Sequence, residues 1–249
     1  MKNLIISGCS ISEDVTCFKS DVADNARKKN YLSYPHFINH KYKLYNMSEG
    51  GIDNGTIQRN LYKGLHIVEE NNSIDIEDIT VLVQWTATDR HSIYSKNLGR
   101  WLLSSRHPDD TTSEMKDYYK DEHTEEKALQ NTLNIISETQ LFLKSKNIKY
   151  KMFTGWNIFD NDLNLEDYDI DISDFWFFEG EHWNRFELGE ASFCKYGGLN
   201  EWVKSNLDKV YWSRGPIGTN NRDLHPSNIS HCAFSHGVIT TILKELEIR

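Results

Sequence analysis

Four short segments hold residues that packing alone does not explain. The first is Gly8-Cys9-Ser10-Ile11-Ser12, where an apolar run from Asn3 to Ile6 gives way to small residues and a serine. Glycine lets the chain turn sharply there, and a helix start after such a turn leaves backbone N–H groups unpaired. The second, "YNMSEGGIDNGTIQRNL" (45–61), has a double glycine flanked by Asn46, Asn54 and Arg59. The third, "VLVQWTATDRH" (81–91), turns from apolar to hydroxyl-bearing and charged residues within one step. The fourth, "NNRDLHPSNISH" (220–231), contains Asp223-Leu224-His225-Pro226. A residue before proline is pushed toward extended backbone, which stiffens the loop at His225. In extended chain Asp223 and His225 point to the same side, so the carboxylate can reach the imidazole.

These segments need a scaffold that brings them together. Short β-type runs ending in Gly, Asn, Thr or Asp alternate with longer helical patterns, as in a parallel sheet with crossover helices. The expected strands are 3–7, 43–47, 79–85, 149–154 and, more weakly, 209–212. Residues 34–40, 54–70 and 124–146 read as helices. In the last of these Leu129, Leu133, Ile136 and Leu143 share a face, with Ile135 and Phe142 beside it. A final helix over 227–247 opens at Ser227 as N-cap and carries Ile229, Ala233, Val238, Ile242 and Leu246 near one stripe. In such a sheet, functional groups gather at the carboxyl ends of the strands, where all four segments would emerge. Residues 91–123 and 156–195 break the alternation and read as insertions over one edge or end of the sheet.

Composition narrows the partners. The chain has 249 residues, the size of one large α/β domain with insertions, and a formal charge of −9. That charge provides no general attraction for nucleic acid or an anionic membrane. Cys9, Cys17, Cys194 and Cys232 form no C-x-x-C pair and are too scattered for a disulfide framework. No run approaches the ~18 apolar residues of a membrane span, and the first apolar stretch is too short for a secretory leader. The expectation is a protein that is cytoplasmic where it is made.

Taken in order, the segments resemble the blocks of the SGNH, or GDSL, hydrolase family, in the divergent form found in phage and bacterial genomes. Gly8-Cys9-Ser10 is similar to the family's Gly-Asp-Ser, and Asn46 with Gly51 to its second block. "GGIDNGTIQR" resembles the Gly-x-Ser-Asn-x-x-Ile-x-Arg run of divergent members, and Asp223 to His225 the terminal Asp-x-x-His, one residue shorter. The resemblance implies a three-layer α/β/α sandwich with a flavodoxin-like central parallel sheet of about five strands. It also implies ester hydrolysis through an acyl-serine: Ser10 attacks, His225 takes its proton, and Asp223 holds the imidazole tautomer. The oxyanion hole would comprise the N–H groups of Ser10 and Gly51 and one side-chain donor. The family's Gly-x-Asn-Asp is here Thr86-Ala87-Thr88-Asp89, so a hydroxyl, from Thr88 or Thr86, would take the place of the amide. Cys9, where the family has Asp, sets a second nucleophile beside the first. No cofactor or metal is implied.

Asn54, Arg90, Trp176 and Trp183 are the candidate substrate contacts: Arg90 for an anionic group, the tryptophans for stacking on a sugar. The expected partner is a small-molecule or glycan ester, with the oligomeric state left open. Other readings stand beside this one. The chain could be a weak or inactive member that binds glycans or belongs to a virion, or a metal-dependent hydrolase using Asp223, His225 and His231. Asp160, Asp162 and Asn164 alternate as in a calcium loop, but Leu165 stands where that loop needs glycine, so a solvated acidic loop is the reading adopted.

Overall fold

The computed structural model describes residues 2–9, 12, 33–38, 41–70, 74–97, 99–104, 116–118, 120, 123–183, 191–207 and 226–248. Four strands form the central sheet: β1 (Lys2–Ser7), β2 (Tyr42–Asn46), β3 (Ile79–Trp85) and a fourth over Lys149–Thr154. Each lies within a residue of its expected bounds. All pairings are parallel, with the chain's first strand between the second and third and the fourth beyond the third. The fifth candidate strand, 209–212, lies outside the described residues.

The two inner strands explain the apolar runs. β3 is buried at every position and β1 at all but the first, because a parallel sheet is covered on both faces. Helix α1 (Asn54–Glu69) covers the face carrying Ile5 and Ser7, and the Ser7 hydroxyl donates to the Ile57 carbonyl at 2.7 Å. A hairpin follows, β4 (His91–Ser95) with β5 (Arg100–Ser104), as an antiparallel pair apart from the main sheet. It accounts for part of the expected insertion 91–123. Helix α2 (Glu125–Ser145) then packs beside α1, with Leu133, Ile136 and Leu143 buried as their spacing predicts. It leads into β6 (Lys149–Thr154).

The opposite face is covered by the turn Tyr34–Phe37 and the C-terminal helix. Tyr34 meets both Phe153 and Phe234 edge-on, at 5.6 and 5.9 Å between ring centroids. Residues 173–176 run along the free side of β6, where Trp176 N–H donates to the Met152 carbonyl at 2.8 Å and Lys151 Nζ to the Ser173 carbonyl at 2.7 Å. The edge strand is thereby blunted against further pairing. The insertion continues into β7 (Phe178–Trp183), paired antiparallel with β8 (Ala191–Gly197), and then α3 (Leu199–Asn206). The result is a three-layer α/β/α sandwich.

The final helix departs from the expected stripe. Ser227 caps it, accepting from the Ser230 N–H, and α4 (Asn228–Phe234) passes through a π turn (Ser235–Ile239) into α5 (Thr240–Ile248). A π turn adds a residue and rotates everything upstream. Ser230, His231 and Phe234 therefore face the core, while Ile229 is 57% exposed. The far end is tied to the sheet by Glu247, which accepts from Tyr42 Oη at 2.5 Å and Lys41 Nζ at 2.7 Å.

Gly198 marks the closest approach of α3 to the sheet. A Cβ there would collide with the backbone carbonyl and hydroxyl of Thr154, at the end of β6. Gly198→Ala is expected to destabilise the protein by about 2 kcal/mol, as overpacking against backbone does, read as a lower urea midpoint with unchanged slope.

Candidate active site

The loops after β1 and β2 are joined side by side. Met47 N–H donates to the Ile6 carbonyl at 2.7 Å and Glu49 N–H to the Gly8 carbonyl at 3.1 Å, which carries the strand pairing past its end. The Asn46 side-chain amide donates to the Ser12 carbonyl at 2.9 Å, while its oxygen accepts from Ser48 N–H at 3.1 Å. Asn46 therefore braces both loops. Gly51 lies further along the second loop with φ +79°, a left-handed conformation that glycine adopts without strain.

Reading the sequence for chemistry passes over Gln84, although a glutamine inside Val-Leu-Val-Gln-Trp is a signal. It is fully buried at the carboxyl end of β3. Its amide nitrogen donates to the Trp85 carbonyl at 2.9 Å and lies 3.2 Å from Cys9 Sγ; its oxygen accepts from Ser12 Oγ at 2.7 Å. Ser12 Oγ also lies within hydrogen-bond distance of Tyr34 Oη, at 2.9 Å. Burial pushes the Tyr34 pKa far up, so that phenol stays neutral. Cys9 is fully buried within this group, as a small packed residue rather than an exposed thiol.

On the other side of β3, Asn54 closes on Thr86 and on Thr132 of α2. Its oxygen accepts from Thr86 N–H at 2.8 Å, and its nitrogen donates to the Thr86 carbonyl at 3.1 Å and to Thr132 Oγ1 at 3.2 Å. Asn54, expected to contact substrate, is 4% exposed and borders the cavity described below, with its amide committed to peptide groups that would otherwise be buried unpaired. It positions the turn that carries Thr88. That turn closes with Arg90 N–H on the Ala87 carbonyl at 3.4 Å. Of the two hydroxyls named as replacement donors, Thr86 Oγ1 is buried with no hydrogen-bond partner among the described residues, and Thr88 is half-buried in the lining of a cavity.

This cavity, of about 310 Å³, lies between the start of α1, the 88–92 turn and α2. Asp53, Arg59, Thr88, Arg90, Ser92 and Asn131 give it a mainly polar lining, with Ile135 as an aliphatic wall. The Arg90 guanidinium lies over the Trp156 ring, 5.2 Å from its centroid, in a cation–π contact. Trp156, rather than Trp176, is the tryptophan beside this cavity. Trp176, expected to stack on a ligand, is half-buried and packs edge-on against Phe234 of the opposite layer, 5.4 Å between centroids. Ser10, Asp223 and His225, and the Trp183 side chain, lie outside the described residues. His231 is fully buried, its ring stacked 6.5 Å from that of Tyr34. Among the described residues no group of three or more His, Cys, Asp or Glu side chains could hold a metal ion, and no helix is long and apolar enough to cross a membrane.

Behind the cavity, His91 meets the rings of His123 and Tyr118 at 4.8 and 5.4 Å. Burial lowers the His91 pKa from its ordinary 6.5; His123 adds to the effect, and Asp53 and Asp89 oppose it.

Two measurements follow from these contacts. Asn54→Ala strands two buried peptide groups and is expected to cost about 3 kcal/mol by urea unfolding. His91 favours the neutral form when folded, so the unfolded chain binds its proton first as acidity rises. Stability is therefore full above pH 6.5 and falls below it until the folded imidazole also protonates. His91→Gln is expected to flatten that part of a plot of Tm against pH.

No family model matches the chain, and no curated protein matches it. Among solved structures, one described as "the crystal structure of a possible lipase from Chitinophaga pinensis DSM 2588" is similar over 100% of both chains, with 10% identity and a TM-score of 0.35. At that score the likeness bears on neither the fold nor the chemistry of this chain.

Proposed function

We propose that the protein is a serine hydrolase that cleaves a small acyl ester, such as an O-acetyl group on a sugar, through an acyl-serine intermediate. The observation that carries the reading is the joined pair of loops. Hydrogen bonds anchor the chain at Gly8 and at Ser12, on either side of Ser10, to the loop that leads to Gly51. Both loops leave the carboxyl ends of neighbouring parallel strands, and the strand order reverses at β1, the usual position of a site in an open α/β sheet.

In this reading Ser10 Oγ attacks the ester carbonyl while His225 accepts its proton, and Asp223 fixes the imidazole. The tetrahedral oxyanion takes hydrogen bonds from the N–H groups of Ser10 and Gly51 and from a threonine hydroxyl, Thr88 or Thr86. Collapse expels the alcohol, protonated by His225, and water then attacks the acyl-serine by the same route. A hydroxyl must rotate to donate and is less preorganised than an amide, so a modest kcat is expected.

A second reading, a binding module with no turnover, is favoured by one feature: the third block offers only hydroxyl donors where the family has an amide. The test is direct. Ser10→Ala is expected to reduce p-nitrophenyl acetate hydrolysis to background and to abolish fluorophosphonate labelling, with Cys9→Ala retaining both. Activity that survives in Ser10→Ala and is lost in Cys9→Ala would move the nucleophile to the thiol. Absence of turnover and labelling in the unaltered protein would leave the binding module.

A further inference from the structure

We infer that the cavity between α1, the 88–92 turn and α2 is a subsite for a carboxylate carried on a polyhydroxylated alcohol, that is, an acidic sugar. The inference rests on the esterase reading in one respect only: it makes the acidic sugar the alcohol part of the ester.

Arg90 is the principal observation. Its guanidinium lies over the Trp156 ring and borders the cavity, and among the described residues its Nη1 has no hydrogen-bond partner. Among the described residues no carboxylate lies within ion-pair distance of it. A buried charged donor without an acceptor is costly, and structures keep such a group where a ligand supplies the acceptor. The Trp156 ring covers one side of the guanidinium, and the fork of N–H donors matches a planar carboxylate.

The rest of the lining sets the charge and the character of the ligand. Arg59 reaches the same cavity, with Nη2 donating to Thr56 Oγ1 at 2.6 Å. Against these two guanidiniums stands the Asp53 carboxylate, which caps α1 by accepting from Thr56 N–H at 2.7 Å. The start of the helix is thus already compensated, and the positive charge offered to a ligand is that of Arg90. One positive charge suits a monoanion and not a phosphate dianion. Thr88, Ser92 and Asn131 present hydroxyl and amide groups of the kind that pair with sugar hydroxyls, and a cavity of about 310 Å³ admits a single ring. Thr88 lines this cavity and is also one of the two hydroxyls proposed for the oxyanion site, which is why the acidic sugar is assigned to the alcohol part of the ester.

The test is isothermal titration of the whole protein with sodium D-glucuronate, D-glucose and inorganic phosphate. Glucuronate is expected to bind, with glucose and phosphate each weaker by 10-fold or more. Arg90→Gln is expected to weaken glucuronate by about 10- to 100-fold, the worth of a charge-assisted hydrogen bond. Arg90→Lys, which keeps the charge but not the flat fork, is expected to lose most of the same affinity and serves if the glutamine variant does not fold. Glucuronate binding no tighter than glucose or phosphate, or binding unchanged in both variants, would overturn the inference. Binding is read without turnover, so the two proposals fail separately. Glucuronate bound through Arg90 by a protein that hydrolyses no ester keeps the subsite and removes the esterase; hydrolysis of p-nitrophenyl acetate with no preference for glucuronate does the reverse.

Discussion

The carboxyl end of the sheet depends on the buried amide of Gln84. A glutamine carries four hydrogen-bonding positions into an apolar layer, and its presence there is tolerable only because neighbours answer them. The Trp85 carbonyl, Cys9 Sγ and the Ser12 hydroxyl do so, and Tyr34 extends the chain of bonds to the turn that covers the layer. Each of these groups would be a liability alone. Together they fix where the chain goes after β1, since Ser12 cannot move without leaving the Gln84 oxygen unpaired. An unsatisfied buried group of this kind costs about 1–3 kcal/mol, a large part of the net stability of a typical domain.

Asn54 does the corresponding work on the other face of β3. Its amide pairs with Thr86 much as a neighbouring strand would, which extends the order of β3 past its last residue. The two amides have separate roles, Gln84 holding the loop after β1 and Asn54 the loop after β3. The groups proposed for catalysis sit on loops, but these loops are fastened to the sheet by buried side chains, and the precision that chemistry needs is supplied there. The Arg90–Trp156 pair follows from the same arrangement. Once Thr86 is fixed, a short turn brings Arg90 back over the tryptophan just past the end of β6, and the cavity forms in front of it.

Much of the framework is legible in the sequence because it rests on local rules. Runs such as Leu4 to Ile6 and Val81 to Val83 can be satisfied only by burial on both faces, and the spacing of Leu133, Ile136 and Leu143 admits one helical face. Ser227 as an N-cap is equally readable, because capping involves only residues three apart. Where sequence and structure part, the causes are non-local. Ile229 reads as inward-facing on a regular helix, and one π turn rotates it out. Trp176 reads as a site residue by composition, whereas the bridge between Phe175 and Met152 directs that segment to the far layer.

The sequence by itself determined the α/β alternation, the strand positions and the order in which polar segments leave the sheet, since each follows from periodicity and turn chemistry within a few residues. Only the tertiary structure decided what those polar residues do. Asn54 and Asn46 look alike in the chain as polar residues of one glycine-rich segment, yet both are committed to backbone groups distant in sequence. Arg90 and Arg59 belong to separate segments of the chain, yet they face one cavity because α1 and the 88–92 turn meet there. A side chain's partners are set by which elements pack together, and that depends on contacts between residues tens of positions apart, which no local pattern encodes.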